Sequence, residues 1–99
     1  MGNRSIQWSK SSIKQFEAAI KYIASDSVKN AEKVFTVITK QLVKAAKNAE
    51  FFPPDKYKKN NDGSYRAFEK HRYRIAYRFT DNSILVLRIR HTSREPREY

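Results

Sequence analysis

Residues 73–90 read YRIAYRFTDNSILVLRIR, and this stretch decides the fold. Over residues 73–79 large apolar side chains alternate with Arg74, Ala76 and Arg78, which is the period-two pattern of a half-buried β-strand. Residues 84–90 form a second strand, and Thr-Asp-Asn-Ser at 80–83 favours a tight turn between the two. The sequence therefore predicts an antiparallel hairpin with one apolar face and one basic face.

The alternation predicts which face the arginines occupy. Tyr73 begins the apolar row of the first strand, and in the second strand we expect Leu85, Leu87 and Ile89 to form that row. A less regular strand over residues 64–70 precedes the hairpin. The predicted open face has Arg74 at its centre, with these candidates around it: Arg66, Arg72, Arg78, Arg88 and Arg90. Because like charges on adjacent strands repel, this cluster favours an anionic partner.

The first half of the chain reads as helical. A short strand at residues 4–8 leads to Ser9, a good N-cap. Apolar residues at helical spacing then predict two amphipathic helices that form a hairpin. The apolar stripe of the first helix consists of Ile13, Phe16, Ile20 and Ile23. The second helix spans residues 28–49, and its apolar stripe consists of Ala31, Val34, Phe35, Ile38, Leu42 and Ala45.

The proline pair at residues 53–54 ends the helical region. Residues 55–63 form a polar connection that we expect to be the most mobile part of the chain. The element order is thus β-α-α-β-β-β in one domain, residues 1–99. The fold class is α+β, with a helical hairpin on one face of a small antiparallel sheet.

Composition narrows the possible partners. The 99 residues carry a formal charge of +11, with eight of nine arginines after residue 64 and eleven of twelve lysines before residue 64. Such a field favours nucleic acid or an acidic protein. There is no cysteine, so disulfides and thiolate metal sites are excluded, and we expect no metal or cofactor. No apolar run is long enough for a membrane span or a signal peptide, which predicts a cytoplasmic protein without membrane contact.

Several segments resemble the RelE/ParE superfamily of bacterial toxins, the toxin halves of type II toxin–antitoxin systems. They are Tyr65-Arg66, KHRYRIAY at 70–77, residues 84–89 and HTSREP at 91–96. The resemblance spans nearly the whole chain and implies the same β-α-α-β-β-β order. It also implies one of two activities: RelE-like members cleave mRNA in the ribosomal A site without a metal, and ParE-like members poison DNA gyrase.

The resemblance also implies roles for individual residues. Arg74 matches a phosphate-stabilising arginine of RelE-like enzymes, and Arg66 falls near a basic residue of the preceding strand. His91 and Arg94 fall where the nucleases place a histidine or an arginine, and Tyr99 resembles a tyrosine that stacks on a base. The catalytic candidates are Arg74, His91, Arg66 and Arg94. The nucleic-acid-binding candidates are Arg72, Arg78, Arg88, Arg90, Lys70 and Tyr99.

Three functions remain open on the sequence. The first is a ribosome-dependent mRNA endoribonuclease, in which His91 would transfer a proton because histidine titrates near neutrality. The second is a gyrase inhibitor, since Phe68 stands where one RelE subgroup has a lysine. The third is a non-toxic basic RNA-binding protein or a degraded family member. For the arginines themselves, the alternative to anion binding is a solubilising face with Glu69, Asp81 and Glu95 nearby. Both toxin readings imply a cognate acidic antitoxin that folds onto the basic sheet or the helical hairpin.

Overall fold

A computed structural model describes residues 3–94 and 96–99 of the chain. The elements follow the predicted order: β1 (Ser5–Trp8), α1 (Lys10–Asp26), α2 (Val28–Lys47), β2 (Tyr65–Lys70), β3 (Tyr73–Phe79) and β4 (Ser83–His91). The strands form one sheet in the order β1-β4-β3-β2, in which β1 runs parallel to β4 and the other pairs are antiparallel. The predicted α+β architecture is confirmed.

Two serines set the starts of the helices. The backbone N–H of Ser12 donates to Ser9 Oγ at 3.1 Å, and that of Asn30 donates to Ser27 Oγ at 3.0 Å. Because Ser27 alone separates α1 from α2, the helices fold back on each other as a hairpin. Neither helix, within the part of the chain that is described, is both long and apolar enough to cross a membrane.

The core lies between α2, α1 and one face of the sheet. Its largest fully buried side chain is Tyr77, whose hydroxyl donates to the carbonyl of Ala49 at 2.8 Å. Burial raises the pKa of Tyr77 to about 12. The predicted stripe of α2 is buried except for Phe35, which is 49% exposed, and in α1 Ile13 is 44% exposed. These two side chains therefore lie at the margin of the helical hairpin.

A β-bulge in β4 changes the phase of that strand. Ala76 pairs with Arg88, whereas the next residue of β3, Tyr77, pairs with Val86, so Leu87 is the extra residue. The side chains buried against the helices are therefore Ile84, Val86 and Ile89. The predicted apolar row of Leu85, Leu87 and Ile89 was wrong for its first two members, because strict alternation cannot anticipate a bulge.

The connection at residues 55–63 is tied to the sheet, contrary to the mobility that we expected. The N–H of Asp55 donates to Tyr65 O at 2.8 Å, and the side-chain amide of Asn61 donates to the same carbonyl at 2.8 Å. Pro54 forms an isolated antiparallel bridge with Arg66. These bonds place the segment beside β2, where it covers part of the sheet.

Candidate functional site

Four arginines lie on the face of the sheet that points away from the helices, which we call the basic face: Arg74, Arg78, Arg88 and Arg90. Arg74 lies directly opposite Arg90, and Ala76 lies opposite Arg88. Opposed residues of antiparallel strands project from the same face of a sheet. The predicted open face is therefore present for these four arginines.

Arg66 lies on the other face, and its predicted place on the open face was wrong. It pairs with Tyr77, whose ring is in the core, so its side chain projects toward the helices. Its Nη1 donates to Phe52 O at 3.1 Å, its Nε donates to Gly63 O at 2.8 Å, and its Nη2 lies 3.5 Å from Glu50. The side chain is only 12% exposed. In this position Arg66 joins the connection to β2, away from Arg74.

Arg74 is held between two carboxylates. Its Nη2 donates to Asp55 Oδ1 at 2.8 Å, and its Nη1 donates to Glu69 Oε2 at 3.1 Å. The guanidinium also lies over the ring of Tyr57, 4.8 Å from its centroid. Asp55 is 3% exposed, which makes its bond with Arg74 a nearly buried ion pair. The positive charge at the centre of the basic face is therefore compensated within the protein.

Asp55 accepts a second strong bond, from Tyr99. The Tyr99 hydroxyl donates to Asp55 Oδ2 at 2.6 Å, and the N–H of Tyr57 donates to Oδ1 at 3.1 Å. Burial alone would raise the pKa of the Asp55 carboxyl, but the bonds from Tyr99 and Arg74 outweigh it and hold that pKa below its usual value. Burial and the bond to Asp55 raise the pKa of Tyr99. Asp55 is thus ionised while both partners keep their protons.

Residues 96–99, which we call the tail, fold back onto the basic face. The N–H of Tyr99 donates to Tyr57 O at 3.0 Å, and the N–H of Lys59 donates to Tyr99 O at 2.7 Å. The Arg88 guanidinium lies over the Tyr99 ring, 4.2 Å from its centroid, and its Nη1 donates to Arg97 O at 3.2 Å. The ring that the resemblance assigns to base stacking is therefore stacked on an arginine of this chain.

His91 projects from the opposite face to Arg74. It pairs with Tyr73, and the two rings meet edge to face with centroids 5.2 Å apart. The N–H of Ser93 donates to His91 Nδ1 at 3.0 Å, and the Ser93 hydroxyl lies 2.7 Å from the same nitrogen. Because a backbone N–H can only donate, Nδ1 is the acceptor and the neutral ring carries its proton on Nε2. Of the four predicted catalytic residues, Arg74, His91 and Arg94 line one cavity, and Arg66 lies apart from them.

The tail and the end of β4 enclose a cavity of about 160 Å³, which we call the arginine cavity. Five arginines line it, together with His91 and the carboxylates of Asp55 and Glu69: Arg74, Arg88, Arg90, Arg94 and Arg97. Both carboxylates pair with Arg74, and no carboxylate of residues 3–94 and 96–99 lies within ion-pair distance of the other four arginines. Arg90 Nε is buried without a hydrogen-bond partner among those residues. Burial and repulsion from Arg97, Arg88 and Arg94 lower the pKa of Arg90. Such a cluster is suited to binding an anion.

The remaining predicted nucleic-acid contacts are dispersed. Arg72 is exposed in the turn between β2 and β3, where its φ is 69°. Lys70 is exposed at the end of β2, opposite Tyr73. Arg78 lies over the ring of Tyr65, 5.1 Å from its centroid. These three cations neither take part in the ion pairs of Arg74 nor line the arginine cavity.

Two residues of the site were missed from the sequence, Asp55 and Tyr57. Both lie in the connection for which the sequence predicts a mobile loop, and no local pattern distinguishes Asp55 from a solvated acid. The acids considered as neighbours of the arginines were Glu69, Asp81 and Glu95. Glu69 does pair with Arg74, Asp81 lies exposed in the β3–β4 turn, and Glu95 lies outside the described residues.

The family model and the solved structures that match this chain all point to toxin–antitoxin proteins. Residues 6–96 match the model of a family described as the ParE toxin of the type II toxin–antitoxin system parDE. No curated protein has a significant sequence match to the chain. Among solved structures, the chromosomal ParDE toxin–antitoxin system from P. aeruginosa matches with a TM-score of 0.65 at 18% identity, covering 89% of this chain and 95% of that one. The YoeB dimer from Staphylococcus aureus matches with a TM-score of 0.59 at 22% identity, covering 91% and 98%. At these identities the two structures share the fold alone.

Proposed function

Since the chain belongs to the ParE toxin family of type II toxin–antitoxin systems, we propose that it acts by binding its target, as a ParE-like inhibitor of DNA gyrase, and not by cleaving RNA. The observation that carries the proposal is the pairing of Arg74 with Asp55 and Glu69. A guanidinium held by two carboxylates has little net charge left for a phosphate. The toxin class follows from the family, and the target is the proposed part.

Metal-free RNA cleavage requires a base, an acid and a preorganised cation around one phosphate. In this chain Arg74 is neutralised by its partners, and the ring of His91 meets the ring of Tyr73 edge to face. The carboxylate of Glu69, which would be a second candidate for the base, is already paired with Arg74. These three observations argue against a nuclease site centred on Arg74.

Binding to a large acidic surface makes weaker demands on geometry. The charge of +11 steers the chain toward such surfaces. Arg88, Arg90, Arg94 and Arg97 offer guanidinium groups that no described carboxylate neutralises. We propose that these four arginines contact the target, and that the acidic antitoxin blocks the same basic face.

A ribosome-dependent nuclease is the second candidate, and one observation favours it. His91 lines the same cavity as five arginines, so a phosphate in the arginine cavity would have an imidazole at its edge. In this mechanism His91 and Arg94 would carry the chemistry, and Arg74 would only hold the tail in place.

The experiment is induced expression followed by separate pulse labels for DNA and protein synthesis. We expect DNA synthesis to stop first, and we expect purified toxin to inhibit supercoiling by gyrase. His91→Gln should keep this effect, while Arg90→Gln should weaken it. Arg74→Ala is a poor test, because it leaves the buried Asp55 carboxylate without its ion-pair partner.

Two outcomes would overturn the proposal. One is rapid loss of protein synthesis alone, abolished by His91→Gln, which would establish the nuclease. The other is normal growth and normal labelling when the protein is expressed in folded form without an antitoxin, which would indicate a non-toxic family member. Circular dichroism of each purified variant verifies the fold.

A further inference from the structure

The arginine cavity holds more positive charge than the described carboxylates balance. Five arginines line it, and the two carboxylates that line it both pair with Arg74. The other four arginines come from different segments of the chain. Arg88 and Arg90 belong to β4, Arg94 lies in the turn that follows, and Arg97 belongs to the tail. The cavity is therefore a meeting point of cations from the sheet and from the tail.

One of these cations, Arg90, has a buried donor without an acceptor. Its Nε is shielded from solvent and has no hydrogen-bond partner among residues 3–94 and 96–99. A buried N–H that lacks an acceptor is costly, because it has lost its bond to water and gained none within the protein. An oxyanion within reach of Arg90 Nε would supply the acceptor and would also reduce the repulsion between the neighbouring guanidinium groups.

The cavity has the size of a small oxyanion. Its volume is about 160 Å³, and a protein cavity of about 150 Å³ can hold a molecule of benzene, which is no smaller than a phosphate ion. The tail bounds the cavity, since the N–H of Tyr99 donates to Tyr57 O at 3.0 Å and both residues line it. A phosphodiester is joined to sugars on both sides, so a nucleic-acid strand would have to displace the tail to enter. A free phosphate group would not.

From the uncompensated arginines, the unpartnered Nε and the enclosed volume, we infer that the arginine cavity binds a free phosphate group, either inorganic phosphate or the terminal phosphate of a nucleotide. Guanidinium groups hold such anions through paired, charge-assisted hydrogen bonds. The anion would contact Arg90 of the sheet and Arg97 of the tail, and it would thereby tie the tail to the basic face. The inference goes beyond the proposed gyrase target and does not depend on it.

Isothermal titration calorimetry of the full chain with inorganic phosphate measures this binding, with chloride replaced so that the ionic strength stays constant. We expect saturable binding of one phosphate per chain. Arg90→Gln and Arg97→Gln should each weaken the binding by about tenfold or more, because each removes a charge-assisted hydrogen bond. Arg78→Gln is the matched control, since Arg78 is an exposed arginine of the basic face that does not line the cavity. It removes the same charge and should have little effect, and circular dichroism verifies the fold of each variant.

Hydrogen exchange followed by NMR tests whether the anion ties the tail to the sheet. The N–H of Lys59 donates to Tyr99 O at 2.7 Å, so exchange of this amide reports the docking of the tail. We expect phosphate to slow exchange at Lys59 and at Tyr99, and we expect sodium chloride of the same ionic strength to leave it unchanged. Unchanged exchange at a saturating phosphate concentration would contradict the contact with the tail.

A titration with ATP, in the absence of magnesium, distinguishes the two sources of the phosphate. Binding of ATP about tenfold or more tighter than that of inorganic phosphate would identify a nucleotide as the ligand. Equal or weaker binding of ATP would identify inorganic phosphate. In both cases Arg90→Gln should weaken the binding, because the same guanidinium group is used.

The inference is overturned if phosphate gives no saturable heat, or if Arg78→Gln weakens binding as much as Arg90→Gln does. It is also overturned if a thymidine oligonucleotide without terminal phosphates binds Arg90 and Arg97 more tightly than phosphate does, which would assign the cavity to nucleic acid. Glu95 lies outside the described residues, and binding that appears only in Glu95→Gln would overturn the inference by making this carboxylate the natural partner of the arginines. Because these readouts involve neither gyrase nor cell growth, they are independent of the labelling experiment that tests the target.

Discussion

Replacement of Asp55 by asparagine tests the network that holds the tail. The carboxylate is 3% exposed and accepts from Arg74 at 2.8 Å, Tyr99 at 2.6 Å and the N–H of Tyr57 at 3.1 Å. Breaking a buried ion pair by removing one partner typically costs about 3–5 kcal/mol. In Asp55→Asn the Arg74–Glu69 ion pair remains, and the asparagine side chain still has one oxygen that can accept a hydrogen bond. We therefore expect the free energy of unfolding to fall by about 2–3 kcal/mol.

Urea unfolding followed by circular dichroism measures this loss. A loss of that size in a chain of this length should lower the melting temperature by about 8–24 °C. Asp81→Asn is the matched control, since Asp81 is exposed in the β3–β4 turn, and its free energy of unfolding should stay within about 0.5 kcal/mol of wild type. An Asp55→Asn protein within about 1 kcal/mol of wild type at neutral pH would refute the reasoning.

The pH dependence gives the same prediction a second test. The pKa of Asp55 is lower in the folded state than in the unfolded chain, whose value is near 3.8. The stabilisation from the carboxylate is therefore present above that value and is lost as the pH falls through the lower folded pKa. We expect the gap in unfolding free energy between wild type and Asp55→Asn to be constant from pH 7 to about pH 5 and to shrink below about pH 4. A gap that stays constant across the acid range would contradict ionisation as its source.

Three other substitutions follow from the same structure. Tyr99→Phe removes the hydroxyl that donates to Asp55 and should cost about 1.5–3 kcal/mol in urea unfolding, with faster proteolysis of the tail. Tyr77→Phe leaves the Ala49 carbonyl unpaired and should lower the free energy of unfolding by about 1–3 kcal/mol. In wild type, burial raises the pKa of Tyr77 from 10.0 to about 12. The stabilisation by the neutral hydroxyl is therefore fully present below pH 10.0 and is lost as the pH rises toward 12. Arg90→Met removes a buried Nε that has no partner among the described residues, and a charge that the neighbouring arginines repel. The variant's melting temperature should therefore exceed that of wild type at low salt. The difference should narrow as the salt concentration approaches about 1 M.

The sequence predicted the basic face correctly in β3, where large apolar residues alternate regularly with arginine or alanine. In β3 every second residue is arginine or alanine, so only one assignment of Arg74 and Arg78 to a face buries the aromatic rings. In β4 the run ILVL at residues 84–87 is apolar in both phases, and only pairing with β3 selects Val86 over Leu87 for the core. For Arg66 the irregular pattern of β2 left the face undetermined, and pairing with Tyr77 decided it.

The compensation of Arg74 could not have been read from the sequence. Asp55 and Arg74 are 19 residues apart, and they meet because the connection returns along β2 and because Tyr99 closes over it. A proline pair followed by lysines and asparagines is typical of a solvated loop. This loop differs from a solvated loop in its contacts with segments that are distant in the sequence. A local sequence pattern does not predict such contacts.

The parallel pairing of β1 with β4 has a consequence for synthesis of the chain. The bond from Ser9 to Leu87 joins residues 78 positions apart, so the first strand waits for a partner that is synthesised 78 residues later. At about 5–20 residues per second this delay is on the order of 4–16 s. During it, the nascent helical hairpin has no sheet to cover its apolar stripe. Co-translational intermediates are thus incomplete in both the basic face and the core.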